Sequence, residues 1–132
     1  MNENEVDRYS PIDVNNPPNL IDIVNKRYEA GKVWANASAV YGSFERKSDI
    51  KLARIMQRIR ENTPIPEGKR TWTRDDLKDM ARADKEWEEF VGHWDDAHQQ
   101  MMDALNEKTT WDQALDAVRT ESVNARELSK IR

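Results

Sequence analysis

The feature that most constrains this chain is a largely apolar residue at every third or fourth position over two long stretches, the mark of helices that each bury one stripe against another helix. The first stretch runs Leu20, Ile23, Arg27, Ala30, Trp34, Ala37, Tyr41, Phe44, Ser48, Leu52, Ile55 and Ile59. Successive fours at Phe44, Ser48 and Leu52 interrupt the alternation, an 11-residue stutter that locally relaxes a left-handed supercoil. The second stretch, Leu77, Met80, Asp84, Trp87, Val91, Trp94, His98, Met101 and Leu105, keeps the three-four spacing without a fault. A sheet has no use for either pattern.

Local signals set the ends of these helices. Asn19 follows two prolines and suits an N-cap, and Asp22 sits in the first turn, where the helix dipole favours an acid. The first helix is therefore expected over about residues 20–61. Gly31 and Gly42 lie inside it at a cost of about 1 kcal/mol each relative to Ala, so Gly42 is a point where it could break. Pro64, Pro66 and Gly68 then end the helix and turn the chain. Thr73 is the next N-cap, with Asp75 and Asp76 in the first turn of a second helix over about 74–108. The stripe fails at Lys108, and Thr110-Trp-Asp-Gln113 reads as a capping box. A third helix over about 111–130 follows, with Trp111, Leu115, Val118, Ala125 and Leu128 facing inward, unless the second helix continues with a kink. Residues 1–18 hold Pro11, Pro17 and Pro18 without a helical period and read as a flexible N-terminal arm.

With 132 residues, the length prior is a single domain, here residues 19–132. At 1.5 Å per residue the two long helices would reach about 60 and 50 Å, too long for a compact globule of this mass. The expected fold is all-α: an elongated antiparallel helical hairpin or coiled-coil-like bundle with a third, C-terminal helix. Such a hairpin commonly completes its core by self-association, so a homo-oligomer is expected.

The absence of cysteine excludes a disulfide framework, a thiolate zinc site and a cysteine nucleophile. Nothing at the start resembles a signal peptide, and no stretch approaches the roughly 18 apolar residues of a membrane span, so a cytoplasmic protein without membrane contact is expected. The two histidines, His93 and His98, project about 140° apart on a helix and make a poor metal pair. Asp84 and His98 resemble an acid and a base on one stripe, but about 21 Å of helix separates them. They read instead as polar seam residues that set register or oligomer state. With no phosphate loop or nucleophile elbow either, the chain reads as no enzyme, with no cofactor and no metal.

Charge is distributed unevenly behind a net value of −4. Residues 44–60 carry six Lys or Arg against Glu45 and Asp49, whereas residues 74–107 carry eleven acids against four bases. Lys47, Lys51, Arg54 and Arg58 share a helical face that could track phosphates; alternatively, they pair with the acidic second helix returning alongside. Lys69, Arg70 and Trp72 cluster at the hairpin tip, where the indole could stack on a base or enter a protein pocket, or pack as a staple onto Leu77. The acids of residues 75–107 could mimic nucleic acid, or form solvated ion pairs with Arg74, Lys78, Arg82 and Lys85.

Two segments resemble small helical proteins encoded in phage and prophage recombination or replication modules. One is Tyr28-Glu29-Ala30 through Lys47 and Leu52-Ala53; the other is Trp111 to Glu127, ending in Val118-Arg-Thr-Glu-Ser-Val-Asn-Ala-Arg-Glu127. The five Trp and the proline-bearing start depart from that group. The resemblance implies a phage context and a non-enzymatic role in DNA transactions. The function expected first is a phage-type accessory protein of recombination or replication, binding a protein partner or DNA through Lys47, Lys51, Arg54, Arg58, Lys69, Arg70 and Trp72. The alternative is a phage inhibitor of a host or defence enzyme, acting by protein binding through the acidic helix or the hairpin tip.

Overall fold

A computed structural model describes residues 19–131; the arm expected over residues 1–18 lies outside them. The described chain is all-α, with α1 at Leu20–Asn62, α2 at Arg74–Arg82 and α3 at Lys85–Ile131. Among the described residues there is no strand. α1 is continuous through Gly31 and Gly42. Its start is capped by Asn19, whose side-chain oxygen accepts the Asp22 N–H at 2.8 Å. The proline turn behaves as its residues dictate: Gly68 takes φ 83°, a left-handed conformation that favours glycine, and the Lys69 N–H donates to Pro66 O at 3.1 Å.

Contacts divide the described residues into two compact units, one of residues 19–36 with 101–131 and one of Ala37–Gln100. In the first, Ile23 packs with Ala114 and Leu115, flanked by Trp111 and Val118. Arg27 pairs with Asp112, and the Lys108 ammonium lies 5.5 Å from the Trp34 ring centre. Partners of α1 thus descend along α3 as α1 ascends, so the two segments are antiparallel. Ile23 is fully buried, which contributes about 1.5–3 kcal/mol through its apolar surface.

In the second unit the same antiparallel order holds. Tyr41 meets His98 with ring centres 5.2 Å apart, Phe44 meets Phe90 at 5.5 Å, and Lys51 meets Glu86. Beyond these, α2 folds onto the end of α1. Ile55, Ile59, Trp72, Leu77 and Ala81 form a buried cluster against Leu52, Met56 and Trp87. The Thr73 hydroxyl accepts the Asp76 N–H at 3.2 Å, which makes Trp72 the residue before the cap and Leu77 the fourth in the helix. Their contact is the hydrophobic staple.

Two expected boundaries are corrected. The second helix, expected unbroken over 74–108, stops at Arg82, because Asp84 leaves the helical path and caps α3. Its carboxylate accepts the Glu86 N–H at 2.9 Å while its carbonyl accepts the first intrahelical bond from the Glu88 N–H at 3.0 Å. Conversely, no third helix starts at residue 111. The Thr110 hydroxyl donates back to Asn106 O at 2.9 Å instead of capping, and Asp112 faces Arg27 and Lys108, so α3 runs on.

The shift in the break also moves the stripe. In α3 the inward residues are Trp87, Phe90, Trp94, Ala97, Met101, Ala104, Lys108, Trp111, Leu115 and Val118, all buried or half-buried. That series keeps three-four spacing and passes through Lys108. It shares Trp87, Trp94 and Met101 with the expected series and adds Phe90, Ala97 and Ala104; of the other expected residues, Val91 and Leu105 are half-buried and His98 is exposed. Ala97 and Ala104 are 5% and 8% exposed; a small side chain at these positions lets the paired helix come close.

Candidate functional site

The expected basic stripe separates into engaged and unengaged residues. Lys51 donates to Glu86 at 2.6 Å, and Arg58 reaches Asp84 at 2.7 Å and Glu86 at 3.5 Å. At the turn, Lys69 pairs with Asp76. Lys47, Arg54 and Arg70 are exposed. Trp72 is not a surface aromatic: it is buried in the second unit's core, and its indole N–H has no hydrogen-bond partner among the described residues.

These pairings leave an electrostatic signature. The Asp84 carboxyl is held below the usual carboxylate range first by the Arg58 hydrogen bond and then by the Glu86 backbone N–H, and Arg58 is raised in return. Asp76 is lowered by Lys69 and by the Thr73 hydroxyl, and Asp112 by Arg27, with a smaller contribution from Lys108. Each pair lies near the surface, where solvent and salt screen such contacts.

A second set of cations, not singled out from sequence, gathers where α2 lies against α1. Leu52, Ala53, Met56 and Leu77 help line a groove of about 760 Å³ that Arg60, Arg74, Lys78 and Arg82 also border. Asp49, Gln57 and Glu61 complete its α1 side. None of the four cations makes an ion pair among the described residues. Arg74, Lys78 and Arg82 recur at intervals of four, so like charges stack along one face of α2, an arrangement that by itself disfavours the helix by a few tenths of a kcal/mol per pair. The four-residue interval was visible in the sequence, but nearby Asp75, Asp76 and Asp79 suggested pairing within the helix. Lys69 takes Asp76, and no ion pair joins the other two to the groove cations.

Asp84, His93 and His98 do not form a common acid-base or metal site. Asp84 is the α3 cap, His98 makes a tilted ring contact with Tyr41, and His93 is exposed. No group of three or more His, Cys, Asp or Glu able to hold a metal occurs among the described residues. No helix among them is long and apolar enough to cross a membrane. The arrangement suits binding of a negatively charged partner over an apolar floor. The chain matches no protein-family model, no curated protein and no solved structure.

Proposed function

We propose that this chain is a non-enzymatic accessory protein of the phage type that acts by binding in DNA recombination or replication, with the α1–α2 groove as its contact surface. One observation carries the reading: four cations border a single concavity, and none of them makes an ion pair among the described residues. A charge left unpaired at a groove costs nothing in desolvation until a partner arrives, and then steers and orients that partner. The partner is DNA or an acidic protein surface of the same machinery. Self-association belongs to the same reading. Leu20, Ile21, Val24 and Tyr28 are 51%, 70%, 46% and 66% exposed along α1, an apolar face suited to a second copy.

Light scattering coupled to size exclusion at two salt concentrations, with and without single- and double-stranded DNA, tests this role. A complex that forms at low salt and weakens in the double variant Lys78→Glu/Arg82→Glu supports it. If DNA and candidate replication or recombination proteins all bind the variant as well as the parent, the groove is not the contact surface. A second reading, inhibition of a host or defence enzyme, draws on the exposure of Glu88, Glu89, Asp95 and Asp96 on α3. It predicts a complex that survives groove reversal and is lost when these acids are changed to Lys.

A further inference from the structure

Resting on the reading that the groove is the binding surface, we infer that its occupant is an acidic amphipathic helix of a partner protein rather than a nucleic-acid strand. Three features of the groove point the same way. Its floor is aliphatic: Leu77 is buried, Leu52 and Met56 are half-buried, and no aromatic ring lines it. Bases of a single strand gain their sequence-tolerant affinity by stacking on aromatic faces, which this floor lacks. Apolar anchors of a helix laid in a groove need aliphatic contact, and a flexible Met adapts to their shape.

The charges discriminate in the same direction. Arg74, Lys78 and Arg82 stand one above another at steps of four residues, about 6 Å apiece. Carboxylates four residues apart on a docked helix repeat at the same interval, so the two rows can pair along their length. On the α1 side, by contrast, Asp49 and Glu61 stand among the lining residues. A phosphate chain would meet these two anions as well as the cations, whereas a peptide helix can present Lys or Arg to them on its other flank. The groove therefore matches a helix with one acidic edge, an aliphatic ridge and a mixed opposite edge.

The test uses the full chain and a display library of helix-forming peptides of about 16 residues, with Leu, Ala, Glu, Lys or Arg allowed at every position, and a short single-stranded DNA as competitor. The expected winners carry Leu at three-four spacing and Glu at four-residue intervals on one flank. Changing those Glu to Lys weakens binding at least tenfold, as does Lys78→Glu/Arg82→Glu in the protein. Arg46→Glu, outside the groove, leaves affinity unchanged. Arg82 is exposed and Lys78 half-buried, and neither makes an ion pair among the described residues, so the variants are expected to stay folded, which circular dichroism checks. Enrichment of basic or uncharged peptides, indifference to groove reversal, or no enrichment at all overturns the proposed occupant. If DNA binds and responds to groove reversal while no acidic peptide does, the occupant is wrong and the binding role stands. If neither ligand responds to the reversal, the binding surface itself has been misplaced and both readings fall.

Discussion

Trp72 shows how one side chain can look like a probe and serve as an anchor. It sits between Arg70 and Thr73 at a turn, yet its ring closes the cluster of Ile55, Ile59, Leu77 and Ala81. Trp72→Ala is expected to cost about 3–5 kcal/mol, the usual penalty for emptying an aromatic site in a core, read as a lower denaturation midpoint in urea. Gly31 behaves in the opposite sense. A Cβ built there meets nothing within 4 Å, and its backbone is helical, so Gly31→Ala should stabilise by up to about 1 kcal/mol through reduced freedom of the unfolded chain. A loss of stability there would mean that the open space beside Gly31 is occupied in solution. At Asp84 the acid serves as α3 cap and Arg58 partner together, which is why a residue that fits the apolar period as a seam position ends a helix instead.

At the scale of elements, the question is where the helices stop and which way they face. The start of α1, the proline turn and the Thr73 cap could all be read locally, because each depends on residues within about four positions of one another. The Ala83–Asp84 break could not, since Asp84 is held by Arg58 from another helix. Continuity of α3 across residues 108–111 has a direct test. Thr109→Pro would be tolerated in a connecting loop, but inside a continuous helix it removes a backbone bond and should cost about 3 kcal/mol or more, visible as lost helicity and a lower melting temperature. The inward stripe is tested by volume. Ala97→Leu and Ala104→Leu should each destabilise by about 1–3 kcal/mol through overpacking, whereas enlarging exposed Glu107 to Arg should change stability by less than about 0.5 kcal/mol.

Across the whole molecule, the ion pairs predict a pH response. Asp76, Asp84 and Asp112 all have carboxyls below the ordinary range in the folded chain. A depressed carboxylate binds its proton more readily when unfolded, so its stabilising contribution is complete above the unfolded pKa, near 4, and is lost as pH falls through the folded value. Thermal unfolding followed by circular dichroism should therefore show these contributions intact at about pH 5–7 and declining below about pH 4. Arg58→Met and Arg27→Met should lower the midpoint at neutral pH and flatten the acid decline. An unchanged acid limb in both variants would mean that the pairs contribute nothing to folding.

Much of the architecture was already present in local pattern. Three-four spacing, two prolines and capping residues determined that the described chain is helical, that α1 ends before Pro64, and that its inward stripe includes Ile23, Ala30, Ile55 and Ile59. The tertiary structure alone decided that Ala97 and Ala104 on α3 are buried while neighbouring His98 is exposed, because that depends on fit to the opposing helix, which periodicity cannot weigh. It also decided which cations pair: Lys51 and Arg58 find acids 35 and 26 positions away, while Arg60, Arg74, Lys78 and Arg82 line one groove and make no ion pair among the described residues. Pairing of charges depends on distance in space, and neighbours in sequence do not report it.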